Sequence, residues 1–221
     1  MSKNKLIIIG GIGTAVNIAE QMQDAIDKYG LKDEFLGFAF DNESFGDQIN
    51  GYPLLCKSYE VYEKYGKYDD VKFIYQLYRP DLLKERSELL YSFNIPEKKF
   101  YNFIHPLATV AKSAEIGYGN AIHANCVVNS NVKIGNHNTF NSGNLIGHDT
   151  TLGNNNFFAA QSCIGSNVNI GNCVFVGLNA AVNNMITVGD NNMIGMSSNV
   201  IKSLEPNQVV FGNPAKHIKN M

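Results

Sequence analysis

A six-residue period runs through the second half of this 221-residue chain and constrains its fold more than any other feature. From Ile104 to Val200, every sixth residue is large and apolar at all seventeen positions, with no insertion. Such residues have a background frequency of roughly a quarter, so chance does not produce this run. The period fits neither an α-helix nor simple strand alternation. It fits a β-helix whose triangular coils have three sides of six residues each.

Residues eighteen apart should then stack, one coil above another, at a strand spacing of about 4.8 Å. Three columns at this spacing support the prediction. We interpret a glycine column as a corner that needs a permissive backbone, and two amide columns as side-chain ladders along the stack. The columns are Gly117, Gly135, Gly153, Gly171 and Gly189; Asn136, Asn154, Asn172 and Asp190; and Asn120, Asn138 and Asn156.

Charged residues make up 17% of the chain, below the typical value of about 25%. The deficit falls in residues 101–200, where like charges stacked at strand spacing would repel each other. The break in charge predicts a domain boundary near Tyr101. We expect an α/β domain in residues 1–100, a β-helix in 101–203 and a tail in 204–221. The charged side chains of residues 101–200 are Lys112, Glu115, Lys133, Asp149 and Asp190.

The first hundred residues show alternating strand and helix patterns. Apolar runs predict strands at 6–9, 35–40 and 71–75. Helical spacing of apolar residues from Ala15 to Ile26, and helical composition in 81–91, predict two helices. This order implies right-handed crossovers and a parallel sheet, so we expect a small Rossmann-like domain.

Composition also excludes several classes of function. A net charge of -2 without a basic cluster argues against nucleic acid as a partner. The apolar run at 6–9 is too short for a signal peptide or membrane span, so a cytoplasmic protein is expected. Without C-x-x-C or zinc spacing, the cysteines are predicted to be small buried hydrophobic residues, and no metal site is expected. The four cysteines are Cys56, Cys126, Cys163 and Cys173.

Four segments carry a resemblance to a known family: residues 7–13 (IIIGGIG), 103–106 (FIHP), 146–149 (IGHD) and 212–216 (GNPAK). With the repeat, they resemble the hexapeptide-repeat acyltransferases, whose β-helix is left-handed. The chain looks most like the sugar acetyltransferases that carry a small N-terminal Rossmann-like domain. This group contains bacterial sialic-acid O-acetyltransferases and UDP-amino-sugar N-acetyltransferases.

The resemblance implies an acetyl-CoA-dependent transferase that acts on an amino or hydroxyl group of a sugar, and we expect that sugar to be nucleotide-linked. It also implies a homotrimer with acetyl-CoA in the groove between adjacent β-helices, and the flat, weakly charged faces of such a prism favour self-association. By position, that groove includes Phe157, Gly177, Leu178, Gly195 and Met196, with Lys202, Lys216 and Lys219 available for CoA phosphates.

Acyl transfer needs a base for the incoming nucleophile, and histidine suits that role near neutral pH. His105 and His123 are eighteen apart, which favours a stacking role, while His137 is expected to be a solvated turn residue. His148 is followed by Asp149, in the register where the family carries its catalytic pair. A neighbouring carboxylate favours imidazolium, which is the required sign. Side-chain contact requires a corner or a neighbouring subunit, because consecutive strand residues point to opposite faces. A turn histidine beside a solvated acid remains the alternative.

The loop formed by Gly10, Gly11, Ile12, Gly13 and Thr14 falls between a predicted strand and helix, where backbone N–H groups bind phosphates. It lacks the full G-x-G-x-x-G, and a simple tight turn is the alternative. The resemblance implies that this loop, with Asp41 and Asn42, holds the nucleotide part of the sugar substrate.

The chain departs from the family at three places. Thr14 and Phe157 stand where many relatives have histidine, and Leu77, Tyr78 and Arg79 stand where they often have a Gly-Asn pair. These departures motivate a second hypothesis, a non-catalytic nucleotide-sugar-binding scaffold. A zinc enzyme of the carbonic anhydrase type is disfavoured, because His137 and His148 differ by eleven, out of phase with the repeat.

Overall fold

The structure, a computed structural model, describes residues 3–221 apart from the side chain of Glu43. An α/β unit extends to Phe100, and a parallel β-helix starts at Phe103. Among the described residues, no helix is both long and apolar enough to span a bilayer.

The sheet of the α/β unit has β1 at its centre, paired in parallel with β2 on one side and β5 on the other. The predicted strands are present, and the edge pair β3 and β4 was missed. β4 pairs in parallel with β2 although it contains Pro53, which is tolerated near a sheet edge. The strands of this sheet are β1 Lys5–Ile9, β2 Glu34–Ala39, β3 Gln48–Ile49, β4 Tyr52–Cys56 and β5 Val71–Tyr75.

The longest helix, α1, buries Ala15, Ile18, Ala19 and Met22, as its apolar spacing predicts, and ends at Gly30 in the left-handed region. A short second helix was not predicted, and the third begins two residues later than expected. The helices are α1 Thr14–Tyr29, α2 Val61–Tyr65 and α3 Leu83–Ser92, and single 3-10 turns lie at Glu43–Phe45, Ser58–Glu60 and Glu97–Lys99.

The β-helix begins with seventeen two-residue strands in the described chain, and each ends on one of the predicted apolar residues. Fourteen of these are buried, and the three in the first coil are partly buried against them. The predicted period is therefore confirmed. The strands, β6 to β22, are Phe103–Ile104, Thr109–Val110, Glu115–Ile116, Ala121–Ile122, Val127–Val128, Lys133–Ile134, Thr139–Phe140, Leu145–Ile146, Thr151–Leu152, Phe157–Phe158, Cys163–Ile164, Asn169–Ile170, Phe175–Val176, Ala181–Val182, Thr187–Val188, Met193–Ile194 and Asn199–Val200.

These strands stack into three parallel sheets, here called faces 1, 2 and 3 in the order in which the chain visits them. Face 1 begins with β6, face 2 with β7 and face 3 with β8, and each partner lies eighteen residues along the chain. The turns between faces are called corners 1/2, 2/3 and 3/1. The tail extends face 1, because β23 (Gln208–Gly212) pairs with β21, and β24 (Ala215–Asn220) pairs with β23.

Amide side chains join successive coils at corner 3/1, and the predicted ladders are present. Asn136 N–H donates to Oδ1 of Asn154 at 2.7 Å, and Asn154 N–H donates to Oδ1 of Asn172 at 2.8 Å. In the buried column the direction reverses, and Asn156 N–H donates to Oδ1 of Asn138 at 3.0 Å. The amides thus satisfy backbone groups that the two-residue strands leave without partners.

The interpretation of the glycine column was wrong in its cause. These glycines do not have positive φ. A Cβ on Gly153 would lie 2.6 Å from the carbonyl oxygen of Gly171 and 2.7 Å from Oδ1 of Asn172. Glycine is required because the next coil lies too close for a side chain, which holds throughout the column.

The left-handed backbone conformation occurs instead two residues after the glycine position in each turn, at every sixth residue from 119 to 197. Asparagine and glycine predominate there because they adopt positive φ at low cost. Each turn of the described β-helix between these limits therefore has the same backbone shape. The residues are Gly119, Asn125, Asn131, His137, Gly143, Asp149, Asn155, Gln161, Asn167, Cys173, Asn179, Met185, Asn191 and Ser197.

The α/β unit packs on face 1 through buried polar and apolar contacts. Gln76 Nε2 donates to Thr139 Oγ1 at 3.0 Å in the buried interface. Gln21 on α1 contacts Nδ1 of His123 at 3.2 Å and accepts from Ala124 N–H at 2.9 Å at corner 1/2. Face 1 is therefore covered in its first coils, whereas the outer residues of face 2 include exposed Leu145.

Two sequence expectations about burial were wrong. His137 is a turn residue but is buried, with its ring edge-on to Phe100 at 4.5 Å between centroids. Cys163 is exposed because it is the outward residue of its strand on face 2. Cys126 is buried, Cys56 and Cys173 are partly buried, and all are free thiols.

The ladder geometry predicts that Asn138→Ala destabilises the fold by about 3 kcal/mol, because it leaves Asn156 N–H and Gly153 C=O without partners in a buried region. Asn169→Ala is the matched control, since Asn169 is an exposed outward residue on face 3. Its expected effect is within about 0.5 kcal/mol. Urea unfolding at one protein concentration measures both, and equal effects would contradict the role of the ladder.

Burial lowers the pKa of His137 from 6.5 to about 4. Between these values the unfolded chain binds more protons than the folded one, so stability falls as pH falls below 6.5. At pH 5 the loss is about 2 kcal/mol for this group. His137→Asn, which tolerates positive φ, should therefore lose less stability between pH 7 and pH 5 than the unmodified chain. Urea unfolding at both pH values tests this, and equal losses would refute it.

Candidate active site

His148 and Asp149 contact each other directly at corner 2/3. Nδ1 of His148 lies 2.6 Å from Oδ2 of Asp149, and the two side chains are 55% and 44% exposed. Asp149 has a φ of 59°, so the alternation of side chains along a strand does not apply here. The sequence left two ways for these side chains to meet, at a corner or between subunits. The structure shows the first, a contact at a corner within one chain.

An asparagine in the preceding coil also holds the carboxylate of Asp149 in place. Asn131, eighteen residues earlier, donates from Nδ2 to Oδ1 of Asp149 at 2.9 Å. The hydrogen bond from His148, followed by that from Asn131, holds the pKa of Asp149 below its usual value. An ionised Asp149 keeps the imidazole proton on Nδ1, which leaves Nε2 of His148 able to accept a proton from a substrate.

A cavity of about 450 Å³ lies between the α/β unit and face 1. It forms at the carboxyl ends of β1 and β5, which are neighbours in the sheet. The helix after β1 leads to β2, on the far side from β5, so the strand order reverses between β1 and β5. Ligands of open α/β sheets bind at such positions. The lining residues are Gly11, Ile12, Gly13, Thr14, Phe40, Gln76, Leu77, Tyr78, Arg79, Pro80, Arg86 and Phe157.

The glycines of the first loop have different structural roles. A Cβ on Gly10 would lie 2.8 Å from the Gln76 carbonyl oxygen, and one on Gly11 would lie 2.6 Å from the Phe40 ring. Gly13 has a φ of 55° at the start of α1 and open space around it. Gly11 to Thr14 line the cavity, whereas Gly10 is buried behind it.

The structure does not bring Asp41 and Asn42 into this cavity. They line a separate depression of about 310 Å³, and Phe40 lies between the two spaces. The Asp41 carboxylate accepts hydrogen bonds from Ser58 N–H at 3.0 Å and from the Ser58 hydroxyl. Asn42 Oδ1 accepts from Ser44 N–H at 3.0 Å. Local turn contacts thus engage both side chains.

The residues predicted for the acetyl-CoA groove lie in three places. Phe157 is in the cavity wall, stacked on Phe175, with 5.8 Å between ring centroids. Gly177, Leu178, Gly195 and Met196 lie together at corner 1/2, where Leu178 is 52% and Met196 is 65% exposed. The lysines are divided: Lys216 and Lys219 are on β24, and Lys202 is at corner 2/3, three coils beyond His148.

Sequence reasoning missed Phe40, Gln76, Tyr78 and Arg86 as cavity residues. A signal was present for two of them, because Gln76 and Tyr78 directly follow β5, which pairs with β1. Parallel neighbours place their following loops side by side. Arg86 carried no such signal, since it lies inside a helix of ordinary composition.

His148 and the cavity lie on opposite sides of the same β-helix. The cavity is on face 1, and corner 2/3 is the vertex of the triangular coil that lies opposite that face. One chain therefore cannot bring Nε2 of His148 to a ligand in its own cavity. Two copies can do so if corner 2/3 of one packs beside face 1 of the other.

Three of the other histidines, His105, His123 and His137, are buried, and His217 is exposed on β24. His105 and His123 are buried beneath α1, and burial lowers the pKa of His123 to about 4. Burial also lowers the pKa of His105, although Asp24 lies 3.8 Å from its Nε2. Among residues 3–221, no group of three or more His, Cys, Asp and Glu side chains could hold a metal ion.

Solved structures match the chain over almost its whole length. The acetyltransferase domain of PglB from Neisseria gonorrhoeae has a TM-score of 0.85 at 22% identity, covering 98% of this chain and 100% of that one. PerB from Caulobacter crescentus, in complex with CoA and GDP-perosamine, has a TM-score of 0.82 at 22% identity, covering 99% of both chains. WeeI from Acinetobacter baumannii has a TM-score of 0.76 at 20% identity, covering 98% of this chain and 100% of that one.

The chain has the fold of these acetyltransferases. The resemblance expected from the sequence is therefore confirmed at the level of structure, for both the α/β unit and the β-helix. No protein-family model and no curated protein matches the sequence.

Proposed function

We propose that this protein is an acetyl-CoA-dependent acetyltransferase that modifies an amino or hydroxyl group of a nucleotide-linked sugar. The observation that carries the proposal is the exposed His148–Asp149 pair, with 2.6 Å between Nδ1 and Oδ2, on a fold shared with solved acetyltransferases. PerB, one of these, was solved with CoA and a nucleotide sugar. The β-helix is proposed to be left-handed and the α/β unit Rossmann-like, as in the family that the sequence resembles.

His148 acts as the general base in this proposal. Its Nε2 takes the proton from the acceptor amine or hydroxyl as that group attacks the thioester carbonyl; the C–S bond then breaks, and the imidazolium returns the proton to the departing CoA thiolate. Asp149 orients the ring and stabilises the imidazolium that forms, and Asn131 fixes Asp149. The coil beneath supports the corner, because Asn167 N–H donates to the His148 carbonyl at 3.0 Å.

Acetyl-CoA fits corner 1/2. Leu178 and Met196 supply exposed apolar surface there, and Lys216 and Lys219 on the adjoining hairpin supply positive charge for phosphates. The glycine loop and the cavity behind it hold the acceptor. Since His148 lies opposite that cavity, the active unit is an oligomer, and a cyclic homotrimer places corner 2/3 of each copy beside face 1 of the next.

His148→Ala should reduce turnover at least about a hundredfold, because it removes the proposed general base and leaves only Asp149, whose lowered pKa makes it a much weaker base. His217→Ala is the matched control: His217 is also exposed, lies on β24 and contacts Asn220 at 3.0 Å. Thioester cleavage with acetyl-CoA and a panel of UDP- and GDP-linked amino sugars and free sugars measures both. A fully active His148→Ala protein would rule out the assignment.

Asp149→Asn should lower kcat and leave KM for both substrates nearly unchanged, because Asp149 acts through His148 and touches neither substrate. The control Asn131→Ala removes one anchor of Asp149 and should cause a smaller loss. Steady-state kinetics distinguishes these outcomes. The scaffold hypothesis predicts instead that calorimetry detects no acetyl-CoA binding at millimolar concentration. It also predicts no acetyl transfer by the unmodified protein or by either variant.

The inter-subunit site predicts complementation. A chain with His148→Ala retains an intact cavity, and a chain with Thr14→Trp, which fills the cavity mouth, retains His148. Each variant alone should be inactive. Unfolded, mixed in equal amounts and reassembled, they should regain activity at about a quarter of the sites. Failure of the mixture, when unmodified chains reassemble to full activity, would place both elements in one chain.

A further inference from the structure

Arg86 carries a positive charge that nothing in the described part of the chain neutralises closely. Its side chain is 26% exposed, and Nε is buried without a hydrogen-bond partner. The nearest carboxylate belongs to Glu85, 3.9 Å from Nη2, and that side chain is 61% exposed. A partly desolvated guanidinium without a close partner is costly, so its position in the cavity wall suits an anionic ligand.

The other charged group of the cavity is already paired. Arg79 donates to both carboxylate oxygens of Asp81, at 2.8 Å and 3.2 Å. No aspartate or glutamate is among the lining residues. Gly13, at the N-cap, and Thr14, the first residue of the sixteen-residue α1, also line the cavity, and no side chain caps that helix end. The electrostatic field in the cavity therefore favours a negative group near Arg86.

The lining surface is mainly apolar. It includes Ile12, Phe40, Leu77, Tyr78 and Phe157, and a free sugar, which is polar on all sides, would match these side chains poorly. A nucleoside diphosphate combines a flat ring that stacks on aromatic side chains with anionic oxygens that an arginine fork binds in pairs. A cavity of about 450 Å³ has the volume typical of small-molecule sites.

We propose that Arg86 binds the diphosphate of the nucleotide-linked acceptor, and that this contact makes the enzyme select nucleotide-linked over free sugars. The proposal rests on the proposed function in one respect, that the acceptor occupies this cavity. Its test is a binding measurement, so it does not require acetyl transfer.

Calorimetry with the unmodified full-length protein compares UDP and GDP with uridine and guanosine. At least one nucleoside diphosphate should bind more than about tenfold more tightly than its nucleoside, because only the diphosphate reaches Arg86. Equal affinities would overturn the proposal without the need for a variant. N-acetylneuraminic acid is the comparison for a carboxylate: if it binds and the nucleoside diphosphates do not, the anion is not a diphosphate and the proposal fails.

Arg86→Gln should weaken binding of the nucleoside diphosphate about ten- to hundredfold, and Arg86→Lys should recover part of the loss. Lys84→Gln is the charge-matched control, because Lys84 lies on the same helix but outside the cavity lining. Its affinity should be unchanged. Unchanged affinity in Arg86→Gln, or an equal loss in Lys84→Gln, would overturn the role of Arg86.

Kinetics separates this proposal from the proposed function. Arg86→Gln should raise KM for the nucleotide-linked sugar and leave KM for acetyl-CoA unchanged. If the protein binds UDP through Arg86 but transfers no acetyl group to any acceptor, the transferase assignment fails and the diphosphate site stands. If it acetylates free and nucleotide-linked sugars equally well, with or without Arg86, the transferase stands and the diphosphate site fails.

Discussion

The hydrogen bond between a backbone N–H and the side-chain oxygen of an asparagine one coil away holds this architecture together. Strands of two residues form few ladder bonds, and at corner 3/1 every second backbone N–H finds its partner on a side chain instead of on the backbone. At corner 3/1, Asn136, Asn138, Asn154 and Asn156 supply them at 2.7 to 3.0 Å. The adjacent glycines have to lack Cβ atoms because these bonds bring the coils so close together.

Other properties follow from this constraint. Neutral amides stack at strand spacing without repulsion, so the β-helix contains few ions. Asp149 is one of them, and it is compatible with the stack because Asn131 and His148 both donate to it. The same stack gives a rigid support for the α/β unit, whose polar contacts with face 1 are individually specified, as between Gln76 and Thr139.

The sequence predicted the parts of the fold that repeat. The inward position of every strand followed from one apolar residue in six, since burial acts on each coil in the same way. The cause of the glycine column could not be deduced, because positive φ and close approach both select glycine. The burial of His137 depends on Phe100, from the other unit, and a pattern within the β-helix contains no information about that contact. The strands β3 and β4 were missed because they are short and include Pro53.

The candidate site was predictable where its residues are neighbours in sequence. His148 and Asp149 are consecutive, and their isolation in an uncharged region drew attention to them. The cavity combines a loop after β1, a loop after β5, one helix residue and one β-helix residue. Only the first loop has a recognisable composition. Arg86 acquires its significance from what surrounds it, so a linear pattern could not single it out.

Because the turns are uniform, equivalent side chains along corner 2/3 are evenly spaced, one per coil. The residues equivalent to His148 along this edge, one per coil, are Lys112, Ser130, Ser166, Asn184 and Lys202. At a coil spacing of about 4.8 Å, the two lysines lie roughly 10 and 14 Å from His148 along the stack, in opposite directions. Distances between side chains along this edge therefore change only in steps of one coil. Adding one step would require the insertion of eighteen residues, so sequence variation can change the side chains along the edge far more easily than the distances between them.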